Sequence, residues 1–139
     1  MKPSTSVAAS MSWCLLAATA LGQPAPDTAT STDMRALCQS IDVHHMRFYP
    51  PRARDADQQG AVVLDCVIVD DRLSTCRVVE ENPPNWGFGD AATKIACAFT
   101  VEHEADQPPH VRGASPATRL FRAPDGTIHA FVPVRFALQ

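Results

Sequence analysis

Charge is sparse in this chain of 139 residues: Asp, Glu, Lys and Arg make up 19%, and no run of Lys and Arg is longer than two. With a net charge of −3 and a pI near 5.9, it lacks the basic stripe that a nucleic-acid surface needs. Long hydrophobic runs are missing too. The apolar stretch Met11–Gly22 holds only twelve residues, too few to cross a hydrocarbon core of about 30 Å. His44, His45, His103 and His110 show no His-x₃-His spacing, and adjacent histidines cannot easily share one ion, so they read as surface or loop residues and no metal is expected. There is no Cys-x-x-Cys for redox exchange. No nucleophile–base set and no catalytic carboxylate pair is visible. What remains is a protein that is not an enzyme, with no cofactor and no evident small-molecule substrate.

What is present begins at the N-terminus. Lys2 supplies a positive start, Met11–Gly22 (MSWCLLAATALG) an apolar core, and Ala18, Ala20 and Gly22 small residues for cleavage after Ala20 or Gly22. Residues 1–22 therefore read as a cleaved signal peptide. The alternative is an uncleaved anchor in the inner membrane. Bulky Trp13 just before Cys14 argues against a lipoprotein. Cleavage leaves four cysteines, Cys38, Cys66, Cys76 and Cys97, an even number in an exported chain, which reads as two disulfides. Residues 23–48 read as a lead-in: Gln23–Thr32 (QPAPDTATST) has nothing to bury. Asp33–Ile41 carries Met34, Leu37, Cys38 and Ile41 at helical spacing, with Ser31 or Thr32 as the cap.

The centre of the chain is Gly60–Cys76, GAVVLDCVIVDDRLSTC, a β-branched run broken by a polar turn, the pattern of a β-hairpin. With Asp70–Arg72 as the turn, Val69 faces Leu73 and Cys66 faces Cys76, close enough for a disulfide. That leaves Cys38 and Cys97 as the second pair, or else as two buried thiols. Asp65 and Arg77 fall opposite each other as a cross-strand ion pair. Pro51–Gln59 reads as a short helix starting at the prolines and capped by Gly60. Ala91–Phe99 reads as a second helix carrying Cys97, and 101–126 as a long polar loop. Thr127–Leu138 (TIHAFVPVRFAL) alternates as a last strand, and Pro133, having no N–H, favours an edge position. The expected fold is α+β, a small three-stranded antiparallel sheet covered on one face by two helices.

In order, YPPRARDADQQGAVVL, the hairpin, CRVVEENPP, GFGDAATKIACAF and VPVRFAL resemble TonB C-terminal domains, in a short exported proteobacterial form, over residues 49–139. The resemblance implies a TonB-like domain of the periplasm and cell envelope that binds a peptide or protein, such as an outer-membrane receptor segment, by adding it as a strand to a sheet edge. Energy-coupled transport across the outer membrane is the process it implies. The edge strand of the family matches Phe131, Val132, Val134, Arg135 and Phe136; Tyr49 and Trp86 are candidate partner contacts. Two departures stand out. A cleaved signal replaces the anchor, and no long Pro-rich spacer is present. The receptor-contacting Gln before Tyr-Pro is matched here by Met46. The alternative is an orphan exported module, structural or regulatory, that keeps the fold without receptor engagement. An exposed edge also permits a strand-swapped homodimer.

Overall fold

In chain order the computed structural model contains β1 (Thr32–Asp33), α1 (Met34–Ser40), α2 (Pro51–Asp55), β2 (Gly60–Val69) and β3 (Arg72–Asn82). Then follow α3 (Phe88–Ile95) with a 3₁₀ turn at Ala96–Ala98, β4 (Thr100–Glu102), β5 (His110–Arg112), β6 (Arg119–Arg122) and β7 (Ile128–Phe136). It describes residues 30–43 and 47–138. The signal segment 1–22, the lead-in up to residue 29, His44, His45 and Met46 lie outside the described residues.

The hairpin forms at the Val-rich run, with a tighter turn than the sequence suggests. Asp70 and Asp71 alone make the turn, at φ +49° and +59°, the left-handed pair that suits the twist of a two-residue hairpin. Val69 therefore pairs with Arg72 and Ile68 with Leu73. A bulge at Ser74 then shifts the register by one, so that Cys66 does face Cys76 and Asp65 does face Arg77.

The expected three-stranded sheet is not what forms. The sheet has five strands in the order β1-β3-β2-β7-β6, and β4 and β5 make a separate two-stranded ribbon. Every pairing is antiparallel. Both outer strands come from segments that carry no strand pattern. Thr32–Asp33 of the lead-in pairs with Thr75–Cys76, and Arg119–Arg122 of the supposed loop pairs with Ile128–Phe131. Strands of two to four residues are shorter than the window over which alternation can be read.

One face of this sheet makes the core. Alternate residues of a strand point to opposite faces. Val62, Leu64 and Cys66 of β2 and Ala130, Val132 and Phe136 of β7 are buried on the same side. Met34 of α1, Ala53 of α2 and Phe88, Ala91 and Ala92 of α3 pack there. Burying side chains of Leu, Phe or Met size contributes about 1.5–3 kcal/mol each. Three short helices thus serve this face, where two were expected. Asp33, not Ser31 or Thr32, caps α1, its Oδ1 accepting from the N–H groups of Arg35 at 2.9 Å and Ala36 at 3.2 Å.

Gly60 is no helix cap. The helix α2 ends at Asp55, and Asp57 takes the left-handed backbone after it, at φ +51°. Gly60 instead opens β2 beneath the ring of Phe88, where an added Cβ would sit 2.4 Å from two ring carbons.

Candidate functional site

Two regions of the surface bring the sequence-predicted residues together. The first is the β7 side of the sheet. Strand β6 begins at Arg119, opposite Phe131, so Ile128–Phe131 is an interior strand with β2 on one side and β6 on the other. From Val132 to Phe136, β7 still pairs with β2, but among the described residues no strand pairs with its other side. Pro133 lies on this uncovered stretch, opposite Val63, where a residue without an N–H is tolerated. The edge expected along Phe131–Phe136 is therefore reduced to its C-terminal part.

Side-chain direction divides the five edge residues. Val132 and Phe136 are buried in the core, and half-buried Val134 packs against it. These three can offer a partner only backbone groups. Phe131 and Arg135 point to the opposite face and are exposed.

Among the described residues, none of the core cluster lies on that opposite face. Phe121 stacks on Phe131 with ring centroids 4.9 Å apart and on His129 at 5.1 Å. Beneath them runs a polar chain that sequence reasoning found only in its Asp65–Arg77 link. Asp65, 4% exposed, accepts from Arg77 Nη2 at 2.9 Å and Nε at 3.1 Å, while His129 Nδ1 lies 2.7 Å from its other oxygen. His129 Nε2 lies 3.0 Å from Thr127 Oγ1, which lies 2.6 Å from Asp125 Oδ1. Both carboxylates can only accept. The single Thr127 proton goes to Asp125, and the two ring nitrogens of His129 bridge Asp65 and Thr127. The Asp125 carboxyl is held below its ordinary value of 3.8, first by the hydrogen bond from the Thr127 hydroxyl and next by that from the Thr127 N–H; burial opposes this, and the charge of His129 adds to it.

Carboxylate, imidazole and hydroxyl in this order are the parts of a nucleophile–base set. Here the hydroxyl donates its proton to Asp125 and not to the ring, so the ring does not activate it as a base would. The chain instead fastens the β6–β7 turn to buried Asp65 of β2. His129 gave no signal in the sequence, because 64 residues separate it from Asp65.

The second region is a shallow cavity of about 310 Å³ where α2 and α3 begin. Tyr49 and Trp86, predicted as partner contacts from distant segments, both line it, with Arg47, Arg52 and Lys94. Arg52 lies over the Trp86 ring at 4.9 Å. The Tyr49 hydroxyl is committed, donating to the Gln58 carbonyl at 2.6 Å, and its ring packs edge-on to Phe88 and Phe136. Tyr49 is thus largely a core residue, and the cavity presents Trp86 with Arg47 and Arg52, while Lys94 is paired with Asp90 of the same lining.

Two cysteine pairs stand at disulfide distance, Cys38–Cys97 with Cα atoms 5.4 Å apart and Cys66–Cys76 at 4.1 Å. They are compatible with an exported protein. Among the described residues no helix is long and apolar enough to cross a membrane, and no group of three His, Cys, Asp or Glu could hold a metal ion. No family model, no curated protein and no solved structure matches this chain.

Proposed function

We propose that the mature chain is an exported, TonB-like binding module of the periplasm that takes up an extended segment of a protein partner as an added strand on β7. The observation that carries this reading is the end of β6 opposite Phe131, which leaves the outer side of Val132–Phe136 unpaired among the described residues. An unpaired edge offers main-chain donors and acceptors at a spacing that another strand matches. The order of sequence pieces that resembles TonB C-terminal domains makes an outer-membrane receptor segment the first partner to try, in energy-coupled transport.

One observation favours the second reading, an exported module that keeps its fold without engaging a receptor. Strand β6 already occupies Ile128–Phe131, so an added strand has five residues of β7 to pair with. Capture separates the two. The immobilised mature protein, incubated with detergent-solubilised outer membranes, is expected to retain a receptor. A synthetic copy of that receptor's periplasmic segment should then shift the amide resonances of Val132, Val134, Arg135 and Phe136. If no receptor is retained, the transport reading fails. A charge at Val134 is not a usable control, because that side chain packs against the core and the change would perturb packing as well as binding.

A further inference from the structure

We infer that the strand this edge accepts alternates acidic and apolar residues, its carboxylates lying on the sheet face opposite the helices. This rests on the strand-addition reading and names the chemistry of its partner. Two arginines bracket the uncovered stretch on that face. Arg135 is one residue from buried Phe136, hence on the other side of the sheet. Arg119 is directly opposite Phe131 and shares its face. Both are exposed, and neither enters an ion pair or side-chain hydrogen bond among the described residues.

Spacing turns these two charges into a pattern. Arg119 stands level with Phe131, four residues from Arg135, or roughly 13 Å along the strand. In an added strand, a residue facing Arg135 would have its Cβ about 4.5–5.5 Å away. The residue two positions on faces Pro133, which carries no charge, and falls between Arg135 and Arg119. Carboxylates at those two positions meet both cations. The intervening residue lies on the core side beside half-buried Val134, where an apolar side chain fits. The acids already on the open face do not compete. Asp65 is held by Arg77 and His129, Asp125 by the N–H and hydroxyl of Thr127, and Glu80 stands opposite Val63 on β3, two strands or roughly 10 Å from β7.

The same charges argue against a second copy of this chain as the occupant. Two β7 strands paired antiparallel about Val134 would set Arg135 opposite Pro133 of the other copy and make the two Arg135 side chains diagonal neighbours, a like-charge contact. Single-stranded nucleic acid would need bases to stack on Phe121, whose ring is already engaged with Phe131 and His129.

The test uses the mature protein and four fluorescent probes at low salt: a peptide with Glu-Val-Glu-Val at its centre, the same peptide with Gln for Glu, the same with Lys for Glu, and oligo-dT. The Glu peptide is expected to bind about tenfold more tightly than the Gln peptide, as two ion pairs of modest strength would give, and the Lys peptide not at all. The preference should vanish in an Arg119→Gln/Arg135→Gln variant, whose exposed substitutions leave the thermal melt unchanged. Equal binding of the Glu and Gln peptides overturns the acidic partner and leaves strand addition standing. Binding of none of the peptides overturns both. Arginine-dependent binding of oligo-dT without peptide binding overturns the inference in favour of nucleic acid.

Discussion

Gly60 and Asp125 each answer to one neighbour, and each yields a measurement. A methyl group at Gly60 would lie 2.4 Å from two carbons of the Phe88 ring, and that ring is fully buried and cannot swing away. Gly60→Ala is therefore expected to lower stability by about 1–3 kcal/mol, seen as an earlier midpoint in chemical denaturation; an unchanged midpoint would mean that the ring has room to move. Asp125 titrates below 3.8 because Thr127 hydrogen-bonds its ionised form. A carboxyl lowered in the folded state contributes stability that is present above 3.8 and is lost as pH falls through the folded value. Thr127→Ala should bring the Asp125 carboxyl back up towards 3.8 in an NMR titration. A carboxyl that stays low in that variant would assign the effect to another group.

Among the elements, the two cysteine pairs do unequal work. Cys66–Cys76 closes ten residues inside a hairpin that its ladder already holds, whereas Cys38–Cys97 closes 59 and ties α1 to the turn that follows α3. On the chain-entropy estimate the long loop is worth about 4 kcal/mol and the short one about 3 kcal/mol. Replacing Cys38 and Cys97 by Ala should thus cost more than replacing Cys66 and Cys76, by denaturation of each double variant; the reverse order would point to strain or packing and away from loop closure. The hairpin was legible because its strands are long and β-branched, and its cysteine pairing was reached although the expected register at the turn was off by one. The bulge at Ser74 made up the difference. Helices α1 and α3 were legible from apolar spacing, though α3 runs Phe88–Ile95 and leaves Cys97 on the 3₁₀ turn after it, where Ala91–Phe99 was expected. Helix α2 was legible from its prolines, though it stops at Asp55, earlier than the reading Pro51–Gln59. Strand β6 was not legible, since four residues, Arg-Leu-Phe-Arg, become a strand only by lying against β7.

For the whole molecule, the distinction is between what neighbours in the chain decide and what distant segments decide when they meet. The amino-acid sequence by itself determined the hairpin, the cysteine pair across it, the Asp65–Arg77 contact and the apolar stripes that build the core, because each depends on residues within about a dozen positions or on a regular period. Only the tertiary structure decided how many strands the sheet has, which part of β7 is covered, and that Asp65, His129, Thr127 and Asp125 form one hydrogen-bonded chain. It also decided that Val132, Val134 and Phe136 face the helices while Phe131 and Arg135 face outward, which moves the side-chain part of the candidate edge to two residues and to Arg119 beside them. The physical reason is that a strand's edge is defined by its absent neighbour. Whether a neighbour arrives from 119–122 depends on packing across the whole sheet, and within β7 only Pro133, which has no N–H, marks the stretch that stays uncovered.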